Sequence, residues 1–318
     1  MTWFYIFIFI ISCIILYFSG EWVISGLMRL AKFLGWREFV VAFLVMAFAA
    51  SFPNLFVGIS SALHKIPELS FGEVVGGNVV DLTLAVAIAA LIAKGLPAAS
   101  RTVQATSIFT IIIAVLPLLL ILDGILTRGD GIILILCFGL YMLWLFSKKE
   151  RFTRIYDNIK EPILKEFKLF FKDLGKVILG LILLLFAAEG IVRSARFFAE
   201  SLNFPLALVG ILIVSLGNAL PETYFAIASA RKGETWMILG DLMGAVVFPA
   251  TLVLGIVALI CPIQISDISS IAIARLFMII SALFFFFFVR TDRKITKREA
   301  FFLLTIYITF VLVEILAK

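Results

Sequence analysis

Histidine occurs once, as His64, and cysteine three times, as Cys13, Cys137 and Cys261, each alone inside an apolar run. None shows metal-ligand spacing, so the sequence offers neither a zinc site nor a disulfide framework, and the cysteines read as small buried hydrophobes. His64 stands beside Lys65 in a short connection and reads as a polar loop residue. Charge is scarce as well, at 15% of residues. The first apolar run has no basic residue before it and no small-residue cleavage pattern after it, which favours a retained helix over a secretory signal.

What is abundant is apolar. Hydrophobic residues make up 63% of the 318, with 33 phenylalanines and a mean hydropathy of +1.16, more than a water-soluble core accounts for. A helix needs roughly 20 apolar residues to cross about 30 Å of hydrocarbon. Windows of that kind recur at 3–20, 38–63, 71–93, 103–122, 129–147, 174–194, 204–230, 236–260, 269–290 and 299–316. The chain reads as an all-α integral membrane protein of about ten helices.

The net charge of +6 is a matter of topology, and no nucleic-acid partner is expected. Basic residues collect in alternate connections: Arg29, Lys32 and Arg37; Lys94 and Arg101; the run from Lys148 to Lys176; Arg231 and Lys232; then Arg290, Arg293, Lys294, Lys297 and Arg298. The other set of connections keeps only Lys65, Arg128, Arg193, Arg196 and Lys318. By the positive-inside rule the N-terminus faces outward.

Two stretches interrupt the apolar pattern, FAASFPNLFVGISSA at 48–62 and SLGNALPETYFAIASA at 215–230, and their prolines, Pro53 and Pro221, lie 168 positions apart. The same offset superposes Gly72-Glu73 on Gly240-Asp241, Gly76 on Gly244, Ser61-Ala62 on Ser229-Ala230 and Glu21 on Glu189. The chain therefore divides into a first five-helix repeat, 1–147, a linker, 148–173, and a second repeat, 174–318. With an odd number of helices per repeat the second copy enters the membrane from the opposite side, the inverted repeat of many secondary transporters. The linker has apolar residues at helical spacing from Ile159, consistent with an amphipathic surface segment or a solvated basic tether.

A proline at 53 cannot donate to the carbonyl of Ala49, nor one at 221 to that of Gly217, so each break is expected to free backbone oxygen at membrane depth. Carbonyls and carboxylates are what hard cations prefer. One helical turn places Ala50 with Asn54 and Asn218 with Glu222, and Ser51 can add a hydroxyl. In the next helix Glu73, Gly77 and Asp81 share a face, with Asp241, Ala245 and Pro249 as their counterparts. An unpaired charge at the bilayer centre costs at least about 2.5–3.5 kcal/mol, so Asp81 and Glu222 call for a partner, a bound cation or a proton. Glu73 and Asp241 are secondary candidates, equally readable as helix-end residues. An intramembrane aspartyl protease would have to pair Asp81 with Asp241, and the equivalent of Asp241, Glu73, lies roughly 12 Å from Asp81 along a helix; an enzyme is not expected.

On these residues the chain resembles the calcium/cation antiporter superfamily, most closely its sodium/calcium exchanger branch. That family carries Gly-[Ser/Thr]-Ser-x-Pro-Glu and Gly-Asn-x-x-Gly-Ser-Asn-x-x-[Asn/Asp] in each of two inverted repeats. Here the copies read AASFPN (49–54) with GEVVGGNVVD (72–81), and GNALPE (217–222) with GDLMGAVVFP (240–249). Asn54 stands where the family has its first glutamate and Pro249 where it has a terminal Asn or Asp, while Ala50, Gly77, Asn218, Ala219 and Ala245 replace hydroxyl positions. The resemblance implies a cation-binding cluster of Ser51, Asn54, Asp81, Asn218 and Glu222, with Asp81 and Glu222 as the charged metal ligands. It implies exchange of calcium for sodium, or for protons, with no resident cofactor. It also implies sliding of the helices that carry Glu21 and Glu189. A prokaryotic plasma membrane is the simplest location, and a non-transporting relative with the same fold is the other reading.

Overall fold

The computed structural model describes residues 2–33, 51–147, 163–233, 235–265 and 271–317. Among them nine helices are long and apolar enough to cross a membrane. The expected span 38–63 is described only in its second part, Phe52–Leu63, and Ala50, with residues 148–162 of the linker, lies outside the described residues.

The first repeat comprises α1 (Thr2–Phe33), α2 (Phe52–Leu63), α3 (Glu68–Ile92), α4 (Arg101–Leu120) and α5 (Arg128–Ser147). The second comprises α6 (Ile163–Leu202), α7 (206–218), α8 (Leu220–Lys232), α9 (235–260), α10 (Ala272–Arg290) and α11 (Lys297–Leu316). Local chemistry sets several boundaries. Gly233 closes α8 in the left-handed region at φ 76°, where glycine carries no Cβ penalty. Thr296 opens α11 with a capping box, its hydroxyl accepting from the Glu299 backbone while the Glu299 carboxylate accepts from the Thr296 backbone N–H at 2.7 Å.

Two helices outrun their expected spans. The helix α6 is 40 residues long, roughly 60 Å at 1.5 Å per residue, so it begins inside the segment read as linker. Its first part carries Lys165, Glu166, Lys168 and Lys172, suited to the headgroup region and water. Its repeat counterpart α1 extends to Phe33. These two make the most extensive helix–helix contact among the described residues. Their seam holds Leu16, Val23, Leu184, Ala188 and Ile191 in an apolar cluster that also takes in Val57, Val209 and Val214, and is separate from the larger core built on α3, α4, α5, α9, α10 and α11. At Gly180 the seam is tight, since an added Cβ would lie 2.6 Å from Val23. Small residues are how membrane helices, lacking a hydrophobic drive between them, gain packing.

His64 lies in the short connection after α2, as expected, and there has a partner that the sequence did not show. It caps the C-terminal end of α2, and its Nε2 lies 3.2 Å from Glu189 Oε1 on α6. Glu189 also accepts from Arg193 Nε at 2.6 Å and from Ser60 at 3.1 Å. A lone histidine between two basic-poor spans looks unpartnered in sequence because its partner comes from the other repeat.

Symmetry is written into the irregularities. A π turn in α3, Asp81–Ala85, recurs in α9 at Pro249–Val253, again 168 positions on. Two short antiparallel ribbons tie the repeats together: β1 (Leu96–Pro97) pairs with β4 (Lys294–Ile295), and β2 (Ile125–Leu126) with β3 (Ile263–Gln264). Each ribbon gains a further bond, Ala98 N–H to Arg293 O at 2.7 Å in one and Ile265 N–H to Gly124 O at 2.9 Å in the other. In each, the connection after the third long helix of one repeat meets the connection after the fourth of the other. Repeats of the same orientation would put β1 and β3 on one face and forbid both pairings; inverted repeats permit them.

The β1–β4 face carries Arg101, Lys294, Lys297 and Arg298, and the β2–β3 face Asp123, Arg128 and Asp130. In a cysteine-free background, Arg101→Cys and Lys294→Cys are expected to react with an impermeant maleimide from one side of the membrane only. Asp123→Cys and Gln264→Cys should react from the other side only; labelling of all four from one side would contradict the inverted arrangement.

Candidate cation site

The two prolines act at helix starts. Ser51 holds the N-cap of α2 with Pro53 in the first turn, and Ala219 holds that of α8 with Pro221 in the first turn. There the missing N–H is one the helix would leave unpaired anyway. In the second repeat the expected break is thus located: α7 ends at Asn218, Ala219 is the one-residue hitch, and α8 resumes at Leu220. The hitch aims the first turn of α8, and with it Glu222, into the protein.

Opposite this turn runs α3. It approaches α7 closely because three glycines meet there: a Cβ on Gly72 would strike the carbonyl oxygen of Ala207, one on Gly76 that of Ile211, and one on Gly210 that of Leu69. The crossing brings the Glu73–Asp81 face of α3 against Ser215 and Asn218 of α7. At Asp81 the helix widens into its π turn, a local insertion that often accompanies functional sites.

Between these elements lies a cavity of ≈ 10 Å³, room for about one water-sized particle. The first repeat lines it with Asn54, Glu73, Val74, Gly77, Asn78 and Asp81, and the second with Ser215, Asn218, Ala219, Glu222, Ala245 and Pro249. Five of these side chains each hold a buried oxygen without a hydrogen-bond partner: Asn54 Oδ1, Glu73 Oε2, Asp81 Oδ1, Asn218 Oδ1 and Glu222 Oε2. Asn218 does donate its amide to Glu73 Oε1, which fixes its own Oδ1 as the orphan acceptor. Among the described residues no lysine or arginine lines the cavity, and Arg275, the base inside a span, donates to the carbonyl of Leu118 at 3.0 Å. A buried acceptor left unpaired costs about 1–3 kcal/mol, more when charged. Five acceptors around one small space, three of them on carboxylates, form a site suited to a hard cation.

Of the expected cluster, Asn54, Asp81, Asn218 and Glu222 line the cavity, as does the secondary candidate Glu73. Ser51 is buried but is not among the lining residues, and neither is Asp241. Asp241 still lies within electrostatic reach of Asp81 and Glu222. Sequence reasoning gave no role to Asn78 or Ser215. Asn78 is one turn before Asp81, a usable signal; Ser215 spends its hydroxyl proton on the Ile211 carbonyl and offers the cavity only its lone pairs. Among the described residues no three His, Cys, Asp or Glu side chains stand together as a ready-made metal cluster: the three carboxylates of the wall are spread around the cavity with Asn54, Asn78 and Asn218 among them. The side chain of Glu21 lies outside what the structure describes.

Comparison with known proteins gives concordant results. The family model described as "Sodium/calcium exchanger protein" matches residues 4–147 and 173–316, both repeats. Relatives include the inner membrane protein YrbG of Escherichia coli, 24% identical with 86% of each chain covered. The sodium/calcium exchanger MaX1 of Methanosarcina acetivorans is 23% identical, with 96% of this chain and 97% of that one covered. Among solved structures the sodium-calcium exchanger NCX_Mj has the same fold, with a TM-score of 0.66 at 22% identity over 98% of this chain and 99% of that one. Nine apolar helices among the described residues, two inverted repeats and a match across both of them lead to one assignment: this integral membrane protein belongs to the sodium/calcium exchanger protein family.

Proposed function

We propose that this chain is a secondary active cation antiporter that carries calcium through the cavity in exchange for sodium. The observation that carries the reading is the set of five buried, partnerless oxygens around a cavity with no basic residue among the described residues of its wall. Asp81 and Glu222, one from each repeat, balance one divalent cation. A relative named as a putative antiporter, CaxA of Alkalimonas amylolytica, is 24% identical over 80% of each chain, and the NCX_Mj structure concerns a protein soaked with Na+ and Sr2+; both support antiport of this kind. Gly77, Ala219, Ala245 and Pro249 give the wall no side-chain oxygen, so fewer sodium ions are held per cycle than where those positions carry ligands. Two sodium ions carry the charge of one calcium, and the exchange is then silent electrically. The α1–α6 pair, with its own apolar cluster, is the part suited to slide against the rest.

Calcium uptake into proteoliposomes tests this. An outward-directed sodium gradient is expected to drive uptake without a current. Uptake driven by a proton gradient alone would replace sodium with protons as the coupling ion. No uptake under either gradient would leave the fold with a non-transporting role.

A further inference from the structure

The two repeats furnish the cavity unequally. Directly after its proline the second repeat places Glu222, whereas the first has Asn54 at the equivalent position. In the next helix the imbalance is reversed: Glu73 lines the cavity while its counterpart Asp241 does not. Glu73 is buried with one carboxylate oxygen bonded to Asn218 and the other, Oε2, without a partner. A purely structural role would be served as well by glutamine, which keeps the acceptor for Asn218 and avoids a buried charge. The close crossing holds Glu73 in place, since a Cβ on Gly210 would lie 2.8 Å from the Glu73 backbone nitrogen. Two turns along α3, Asp81 stands on the other side of Gly77, so the first repeat flanks the cavity with carboxylates above and below.

We propose that Glu73 is a cation-ligating, specificity-determining residue that supplies, from α3, the carboxylate its repeat lacks at position 54. The proposal rests on the exchanger reading above. Coulomb energy scales with ionic charge, so a third carboxylate favours a divalent over a monovalent ion. Its removal weakens calcium binding by roughly the square of the factor by which it weakens sodium binding at the same position.

The test uses the purified full-length protein without a gradient, with ion-dependent thermal stabilisation measured separately for calcium, sodium and manganese chlorides. Glu73→Gln is expected to raise the calcium concentration for half-maximal stabilisation by roughly 30-fold or more, from the low end of about 2 kcal/mol for removing one partner of a buried charge interaction, and the sodium value by less. Adding Asn54→Glu to that variant is expected to restore calcium binding to within a few-fold of wild type. Unchanged calcium binding in Glu73→Gln, an equal loss for both ions, or failure of Asn54→Glu to rescue would overturn the proposal. Stabilisation of the wild type by sodium or manganese but not by calcium would sink the calcium reading alone, and the same variants would then test Glu73 with that ion. No stabilisation by any of the three would overturn both.

Discussion

Asp81→Asn and Glu222→Gln are each expected to abolish calcium uptake in proteoliposomes, while the ion-free protein becomes no less stable. Both carboxylates are buried, both line the cavity, and each leaves an oxygen without a hydrogen bond. Removing one partner of a buried charge interaction typically costs about 2–5 kcal/mol, and each 1.4 kcal/mol is about tenfold in affinity. The expected loss is thus roughly 30-fold or more, enough to take uptake below detection at ordinary calcium concentrations. Stability should move the other way. With no ion bound, Glu222 is within electrostatic reach of Asp81, Glu73 and Asp241, and neutralising one carboxylate relieves that repulsion as well as the cost of burying a charge. Melting temperature in chelator is therefore expected to hold or rise while uptake disappears. Uptake within twofold of wild type would exclude the residue as a ligand; uptake lost together with a lower melting temperature would make it a packing residue.

The fold was legible because the membrane reduces it to a few long signals. Apolar windows mark the helices, and the constant offset linking Pro53 to Pro221 and Gly72-Glu73 to Gly240-Asp241 exposes the duplication. The odd count of helices then implies inversion, and the β1–β4 and β2–β3 pairings agree with it. Less legible was which side of each helix faces inward. Spacing places Glu73, Gly77 and Asp81 on one face of α3, and Asp241, Ala245 and Pro249 on one face of α9, yet Glu73 lines the cavity and Asp241 does not. That choice is made by the crossing of α3 on α7, which depends on backbone contacts far apart in sequence. Ser51 illustrates the same limit: one turn from Asn54 in sequence terms, it is the N-cap of α2, where the chain is not yet helical and the face rule does not hold. The pairing of His64 with Glu189 likewise needed the second repeat to be brought against the first.

Gly72→Leu and Gly210→Leu are expected to yield no folded protein, the largest effect of any substitution considered. A Cβ at Gly72 would overlap the Ala207 carbonyl and lie 2.8 Å from its carbon, and one at Gly210 would overlap the Leu69 carbonyl. The obstacle in each case is backbone of the facing helix, which no rotamer change can clear. Overpacking a core with side chains costs about 1–3 kcal/mol, and a backbone clash forces the helices themselves apart. Even Gly72→Ala must widen the crossing, which draws Asn218 on α7 away from Glu73 on α3 and undoes the bond between them. Any folded fraction of Gly72→Ala is accordingly expected to melt lower than wild type and to lose most of its stabilisation by calcium. Gly139→Ala on α5 serves as the control, since no heavy atom lies within 4 Å of the added Cβ, and it should behave as wild type in both respects. Fluorescence-detected size exclusion followed by melting with and without calcium distinguishes these outcomes. A Gly72→Ala protein with wild-type melting and a wild-type calcium shift would show that the crossing tolerates separation and that the site does not depend on it.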